Sequence, residues 1–390
     1  MAHVLIGWEM GANRGHAVRL AALGIALRNA GHDVSFALQR IDALSEVEAG
    51  GSPVWQAPLT PRLLITGSRY GADNFTASMA DILARLGFDD GGIVLAMIDG
   101  WNRLIGAIRP DVVIAEYAPF LSLASRGRFP SVAIGSAFSL PPAAMPQFPQ
   151  LIDGPRIADQ PSLLATVNRA LATVGTPPLK ALPQLFEADR MLPDSFTELD
   201  PYAADRVEPL VKPVPADFAA RAGSGEEVFV YAPERIGPEA LLWRGLAASR
   251  LPVRIHPQRA SSALLEALSK LGFAVEPEPV DFATIATRSR MVVSHGGQGF
   301  TCAAMAAGLP HVVCHHDLEK FLHGMAVMRE GLGGHVSLGN MDPDKFGADL
   351  VGLYRDEALN RRTRVKAKLL RARHQPDFGA SVVAAVDLLA

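Results

Sequence analysis

Short apolar runs alternate with helical patterns in both halves of this 390-residue sequence, and that repeated alternation restricts the fold more than any other feature. In the first half the strand-like runs lie at residues 4–6, 34–38 and 112–115. In the second half they lie at residues 228–231, 253–255, 274–275 and 291–293. Between the first two runs, Leu20, Leu23 and Leu27 recur at helical spacing. The sequence therefore predicts an α/β fold of two doubly wound domains with parallel sheets.

A proline-rich segment separates the two halves. Residues 208–215 read Glu-Pro-Leu-Val-Lys-Pro-Val-Pro, and spaced prolines favour an extended, semi-rigid linker. The predicted division is a domain over residues 1–207, a linker over 208–222 and a domain over 223–390. Two doubly wound domains that face each other would hold a ligand in the cleft between them.

Composition excludes several classes of protein. The 37 basic and 40 acidic residues give a net charge of −3, which offers no general attraction to nucleic acid or anionic lipid. Two cysteines, Cys302 and Cys314, cannot build a disulfide framework, and no basic-then-apolar leader precedes the first strand. No stretch approaches the roughly 18 apolar residues of a membrane-spanning helix. We therefore expect a cytoplasmic protein without membrane contact.

The segment 294–299, Ser-His-Gly-Gly-Gln-Gly, is the most specific motif. It follows the strand at 291–293 and precedes a helix of small residues that ends at Gly308-Leu309-Pro310. Glycines let a backbone approach an anion closely, and free N–H groups at a helix start stabilise negative charge. A diphosphate is the expected ligand; the alternative is a tight turn that needs glycine only for packing.

This motif resembles the donor-binding signature of the nucleotide-sugar-dependent UDP-glycosyltransferase and antibiotic glycosyltransferase superfamily. The resemblance also includes Ala304 and residues 308–310 and 331–333. At the other end, 11–16 and 23–34 resemble the Gly-His loop, helix and second strand of the same family. The resemblance covers both halves. It implies a GT-B fold, in which two Rossmann-like domains face each other across a cleft. The N-terminal domain would bind the acceptor and the C-terminal domain the donor, with terminal helices that can cross back.

The resemblance implies a role for His16 as the base that deprotonates an acceptor hydroxyl, which then attacks the anomeric carbon and inverts it. An ordinary histidine accepts a proton near neutral pH, and an imidazolium needs an anion to orient it. Glu116 stands where the family usually carries aspartate, and its extra methylene leaves contact with His16 to be tested. The alternatives are a loop histidine that only packs and a solvated acid at the end of a strand.

For the donor, the resemblance implies charge stabilisation by a helix dipole and side chains instead of a metal. Arg14 and Arg235 are candidates for additional positive charge; the alternative for each is an ordinary surface arginine. His311, His315, His316 and His323 lack a familiar metal-ligand spacing, so we expect no metal and no cofactor beyond the nucleotide-sugar. The predicted donor-binding residues are His295, Gly296, Gly297, Gln298, Gly299, Glu319, Lys320, Arg235 and Val280.

Several positions depart from the family pattern. Ala303 stands where many uridine-nucleotide enzymes carry the glutamate that holds the ribose hydroxyls, and a deoxyribose donor loses less from its absence. His315 replaces a proline, and Glu319 and Lys320 replace an Asp-Gln pair that contacts the sugar. Lysine donates but does not accept hydrogen bonds, so the sugar is expected to carry an anionic or differently arranged substituent. Phe300 and Tyr231 replace small residues.

The sequence thus predicts an inverting, metal-independent glycosyltransferase that moves a sugar from a dTDP- or UDP-sugar to a hydroxyl of a small natural-product acceptor. The alternative is a non-catalytic GT-B protein that activates a partner glycosyltransferase; assembly into a homodimer is also left open.

A hydrolysing epimerase would carry more acids and arginines around the sugar. A nicotinamide enzyme is excluded, because Gly7, Gly11 and Gly15 are spaced four apart and the second strand ends in Gln39-Arg40.

The segment 350–374 carries eight basic residues, which would suit an anionic membrane surface. We instead expect this segment to be a helix that packs on the protein through Leu359, Val365 and Leu369, which recur at helical spacings.

Overall fold

The computed structural model describes residues 1–11, 14–62, 76–154, 158–214, 225–232, 236–237 and 240–390, without the side chains of Arg14, Glu46 and Val47. The chain forms two compact units. The first unit contains Met1–Asp194, Asp200–Val211 and Pro376–Ala390, and the second contains Ser195–Leu199 and Lys212–Gln375. The boundary differs from the predicted one, because Ser195–Leu199 belongs to the second unit. Pro376–Ala390, which lies in the region of the terminal helices expected to be able to cross back, belongs to the first unit.

The first unit is built on a six-stranded parallel sheet. Its strands are β1 (His3–Trp8), β2 (Asp33–Leu38), β3 (Val54–Gln56), β4 (Val112–Glu116), β5 (Ser131–Ser136) and β6 (Arg190–Asp194). They lie in the order β3-β2-β1-β4-β5-β6, so the chain changes direction across the sheet between β1 and β4. At that switch point Trp8 pairs with Glu116. Ligands of doubly wound sheets bind at this position, outside the carboxyl ends of the strands.

The helices of the first unit cover both faces of this sheet. They are α1 (Arg14–Asn29), α2 (Glu46–Ala49), α3 (Met79–Leu83) with a π-helical turn at Ala84–Phe88, α4 (Gly91–Ile108), α5 (Pro119–Ser125) and α6 (Gln160–Thr173). The helical spacing of Leu20, Leu23 and Leu27 is confirmed, because all three are buried in the core under β1 and β2.

The second unit repeats the plan of the first. Its strands are β7 (Glu227–Ala232), β8 (Val253–Pro257), β9 (Ala274–Val275), β10 (Ser289–Ser294), β11 (His311–His315) and β12 (Gly333–Ser337). Their order is β12-β11-β10-β7-β8-β9, so the switch point lies between β7 and β10, where Tyr231 pairs with Ser294. Its helices are α7 (Leu241–Ser249), α8 (Ser262–Lys270), α9 (Phe282–Arg288), α10 (Gln298–Ala307), α11 (Leu318–Arg329), α12 (Pro343–Arg355) and α13 (Glu357–Ala372).

Helix α13 is the predicted basic helix, and it packs through a different face than expected. Leu359 is buried, but Val365 and Leu369 are 59% and 61% exposed, so the prediction for these two residues was wrong. The inward face instead carries Leu359, Thr363, Ala367 and Leu370. These four recur every three or four residues, which matches the turn of a helix and places Val365 on the opposite side.

The last helix, α14 (Phe378–Leu389), belongs to the first unit although it follows the second unit in the chain. Val382, Ala385 and Val386 are buried in the same core as Leu20 and Leu27. Across the described parts of the chain, no helix is both long enough and apolar enough to cross a membrane.

Candidate active site

The structure brings His16 and Glu116 together at the switch point of the first unit. His16 lies in the first turn of α1, and its Nδ1 is 2.9 Å from Oε1 of Glu116, the last residue of β4. The Trp8 ring stacks on the imidazole at a centroid distance of 5.4 Å. The other nitrogen, Nε2, faces Gly11, where a Cβ would come within 2.5 Å. The imidazole is therefore held on its Nδ1 side and flanked by a residue without a side chain on its Nε2 side.

Two residues that the sequence did not single out complete this cluster. Arg19 donates from Nη2 to Oε1 of Glu116 at 2.7 Å, and its Nη1 is paired with the carboxylate of Asp194. Asp194 is the last residue of β6. Arg19 follows His16 by three positions, so both lie on one face of α1, and that spacing was the available signal. The sequence contains no signal for Asp194, because Pro193 is atypical of a strand and the strand that ends at Asp194 was therefore not recognised.

The carboxylates in this cluster are buried and charged. The Glu116 side chain is fully buried, which raises its pKa, but the neighbouring His16 and Arg19 outweigh this and hold that pKa below its usual range. Burial raises the pKa of Asp194 to about 6, in spite of Arg19. At pH 7 and above, both carboxylates are therefore ionised, and Glu116 can orient His16 and stabilise an imidazolium.

A pocket with a volume of about 10 Å³ lies in the same unit, and two of its lining residues directly follow Trp8 in the chain. It is lined by Glu9, Met10, Pro58, Thr60, Leu86, Met97 and Phe120. The Glu9 carboxylate accepts backbone N–H groups of Phe120 at 3.0 Å and Leu121 at 2.6 Å, at the start of α5. Burial raises the Glu9 pKa to about 8, although these two hydrogen bonds oppose the shift. The other walls are mainly apolar, and the space is about the size of a single water molecule.

In the second unit, His295 follows β10 at the corresponding switch point. Gly296 has a φ of +87°, a conformation that glycine adopts without strain, and its N–H donates to Ser294 Oγ at 3.0 Å. Gly297 is the N-cap of α10, and nothing lies within 4 Å of a Cβ placed on Gly299. The first turn of α10 is therefore accessible at the backbone, as an anion site requires.

The His295 ring is held by other rings instead of a carboxylate. It is 3% exposed and lies 5.7 Å from the Tyr231 ring and 6.2 Å from the His316 ring. Its Nδ1 has no hydrogen-bond partner among the described residues. Burial, with the charges of Lys320 and His316, lowers the His295 pKa to about 3. The imidazole is therefore neutral at physiological pH.

Two further histidines brace the turn. His311 Nε2 is 2.8 Å from Ser294 Oγ, and His323 Nδ1 is 2.7 Å from the carbonyl oxygen of Gly296. One ring nitrogen of each histidine thus contacts the turn, through the Ser294 hydroxyl or the Gly296 carbonyl, and helps to fix the shape of 294–296. Within the described ranges, no three His, Cys, Asp or Glu side chains are grouped closely enough to hold a metal ion.

Glu319 and Lys320 lie at the start of α11 and form an ion pair with each other. Lys320 is buried, and its Nζ also lies 3.6 Å from Asp317. Burial lowers the Lys320 pKa, but Asp317 and Glu319 more than compensate and raise it above its usual range. The ammonium is thus already matched by two carboxylates and does not need an anionic sugar substituent to balance its charge.

Gln298, Val280 and Arg235 are the remaining predicted donor-binding residues. Gln298 Nε2 donates to Ser195 Oγ at 3.2 Å. Val280 is partly buried and packs against an apolar cluster around Phe229. Arg235 lies outside the described residues, as does the side chain of Arg14.

The two aromatic departures from the family pattern pack on each other. The rings of Tyr231 and Phe300 stack at 5.1 Å with an interplanar angle of 8°, and Phe282 meets Phe300 edge-on at 5.4 Å. A small residue at either position would leave space beside the other ring. The two substitutions are therefore explained as one packing unit.

No protein-family model matches the chain. Two curated relatives are uncharacterised proteins, Mb1553c of Mycobacterium bovis and MT1577 of Mycobacterium tuberculosis. Each is 22% identical to this chain, covering 96% of it and 93% of the relative.

Solved structures resemble the chain over nearly its whole length. The calicheamicin glycosyltransferase CalG4 covers 100% of this chain and 98% of its own, at 19% identity and a TM-score of 0.70. The spinosyn rhamnosyltransferase SpnG, complexed with thymidine diphosphate, covers 98% and 99%, at 18% identity and a TM-score of 0.67. The glycosyltransferase VinC, in complex with dTDP, covers 99% of both chains, at 16% identity and a TM-score of 0.67. The chain therefore has the GT-B fold.

Proposed function

We propose that this protein is an inverting, metal-independent glycosyltransferase that moves a sugar from a nucleoside diphosphate to a hydroxyl of a small, largely apolar acceptor. The observation that carries this proposal is the contact of 2.9 Å between His16 and the buried carboxylate of Glu116 at a switch point. A histidine oriented in this way by a carboxylate is equipped to remove a proton from a hydroxyl.

In the proposed reaction, His16 Nε2 takes the proton of the acceptor hydroxyl as its oxygen attacks the anomeric carbon. The bond from that carbon to the diphosphate oxygen breaks, and its electron pair leaves with the diphosphate. The configuration at carbon inverts, and Glu116 stabilises the imidazolium that forms on His16.

The second unit would bind the leaving diphosphate. The open first turn of α10 offers backbone N–H groups, and neutral His295 can donate one hydrogen bond. SpnG and VinC are complexed with thymidine diphosphates, which supports a thymidine donor for this chain. Ala303, which brings no carboxylate for a ribose diol, supports the same choice.

The proposal is tested first by calorimetric titration with dTDP and UDP without added metal. We expect micromolar binding of at least one nucleotide, at least tenfold weaker in His295→Ala and unchanged in His374→Ala, a matched variant of an exposed histidine. No binding of either nucleotide would refute the donor site.

Transfer to a panel of apolar hydroxylated acceptors follows, with His16→Ala as the second variant. We expect kcat to fall by about 10²- to 10⁴-fold while dTDP binding is retained. Transfer that persists in His16→Ala would refute the assignment of the base. Nucleotide binding without transfer by the unaltered protein would instead favour an auxiliary role beside a partner enzyme.

A further inference from the structure

A glutamate in place of aspartate needs additional positioning to act on a histidine. The longer side chain has one more rotatable bond, so its carboxylate samples more positions. In this structure Glu116 Oε1 accepts from both His16 Nδ1, at 2.9 Å, and Arg19 Nη2, at 2.7 Å. Glu116 Oε2 is buried and has no partner among the described residues. The oxygen that touches His16 is therefore fixed by Arg19.

Arg19 is itself fixed on two further sides. Its Nη1 is paired with Asp194, and the Phe378 ring of α14 lies 5.3 Å from the guanidinium carbon. The guanidinium thus connects the ends of β4 and β6, two strands that are separated by β5. A planar guanidinium can hold two carboxylates in fixed directions, which a lysine cannot do.

The charges of this cluster have a consequence for His16. Among the charged groups that act on Glu116 and Asp194 are His16, Arg19 and, for Asp194, the Glu116 carboxylate. At pH values above the Asp194 pKa of about 6, a neutral imidazole leaves the buried cluster with two negative charges and one positive, and a proton on His16 makes it neutral. Without Asp194, the same proton would leave an excess positive charge. Asp194 therefore offsets the charge of Arg19, which would otherwise oppose protonation of the base.

We infer that Arg19 and Asp194 form a positioning pair, in which Arg19 fixes the Glu116 carboxylate against His16 and Asp194 preserves the charge balance that lets His16 accept a proton. This inference rests on the proposed function of His16 as the base. Its charge component concerns the imidazole itself and can be measured without any transfer reaction.

The test follows the His16 imidazole by NMR of ¹³C-labelled histidine as pH is varied, in three variants of the full chain. We expect the His16 titration midpoint to move to lower pH in Asp194→Asn and to higher pH in Arg19→Gln, each by about one pH unit. The double variant restores the balance of charge, so its midpoint should return close to that of the unaltered protein. Single variants that shift in the same direction, or do not shift, would overturn the inference.

A matched control separates this effect from loss of a buried ion pair in general. Arg206 and Asp200 form another buried pair in the same unit, with side chains 4% and 1% exposed. We expect Asp200→Asn to lower stability and to leave the His16 midpoint unchanged. If Arg19→Gln does not fold, Arg19→Lys replaces it: the charge is kept, so the midpoint should stay while kcat falls about tenfold with donor KM unchanged. An unchanged kcat in Arg19→Lys would overturn the positioning role.

A failure of this inference and a failure of the proposed function have different signatures. Opposite midpoint shifts in a protein that transfers no sugar would leave the cluster intact and refute only the reaction. Transfer that depends on His16, combined with unshifted midpoints, would refute the role of Arg19 and Asp194.

Discussion

Each unit places a histidine beside its switch point, but after opposite members of the central strand pair and in different surroundings. His16 follows β1 and is bound at Nδ1 by Glu116, and its side chain is 24% exposed. His295 follows β10, is 3% exposed, and is surrounded by the Tyr231 and His316 rings. Burial without a carboxylate partner lowers the His295 pKa to about 3. The neighbours of each histidine thus set its electrostatic surroundings, which differ between the two units.

His16 therefore has a carboxylate beside it that can stabilise an imidazolium, whereas burial keeps His295 neutral. In both units a glycine faces the Nε2 atom: Gly11 beside His16 and Gly297 beside His295. These two glycines give direct ways to disturb each histidine without replacing it.

The largest effect is expected from Gly11→Ala. The new Cβ would lie 2.5 Å from His16 Nε2, so the imidazole must move, and misplacement of a base by about 1 Å can lower kcat about 100-fold. Gly31→Ala is the matched control, because Gly31 has a φ of +91° against +90° at Gly11 but no atom within 4 Å of its Cβ. Both variants should lose about 1 kcal/mol of stability. Only Gly11→Ala should lose transfer activity; equal kcat in both would contradict the arrangement around His16.

A smaller effect is expected on the stability of the protein at acidic pH, and it arises from His295 in the second unit. The folded-state pKa of His295, about 3, lies below the ordinary value of about 6.5, so the unfolded chain binds the proton more readily. The free energy of unfolding therefore falls as pH drops below about 6.5, by about 2 kcal/mol for this residue at pH 5. Urea unfolding at pH 7.5 and pH 5 measures the loss. His295→Gln should show a loss about 2 kcal/mol smaller, and an identical loss would mean that His295 is not buried as a neutral group.

The smallest effect is expected from Gly297→Ala. Its Cβ would lie 3.0 Å from His295 Nε2, so the ring must shift by a few tenths of an ångström. We expect the dTDP dissociation constant to rise about threefold, which is under about 1 kcal/mol. Gly299→Ala is the control, because no atom lies within 4 Å of its Cβ. A larger loss in Gly299→Ala than in Gly297→Ala would indicate that the backbone of α10, and not His295, dominates binding.

Local patterns predicted the fold of each unit well, because strands and helices follow from spacing within a few residues. The runs at 4–6 and 291–293 and the helical leucines at 20, 23 and 27 all lie where the sequence placed them. The motif at 294–299 was visible for the same reason.

Features that depend on distant parts of the chain were not visible. Arg19 and Asp194 are 175 positions apart, and no local pattern connects them. Val365 and Leu369 are apolar at helical spacing, yet the buried face of α13 is set by what it packs against. Whether Glu116 contacts His16 also depended on the position of a strand end relative to a helix start.

The membership of α14 in the first unit affects how the protein is made. A ribosome releases residues 1–194 first, but the core around Leu20 and Leu27 also needs Val382 and Val386. The entire second unit is translated in between, which takes about 10 seconds or more at 5–20 residues per second. During that interval the first unit lacks part of its apolar core and the ring that covers Arg19. The unit that is synthesised first is therefore the last to be completed, and a chain that is cut short before α14 cannot finish it.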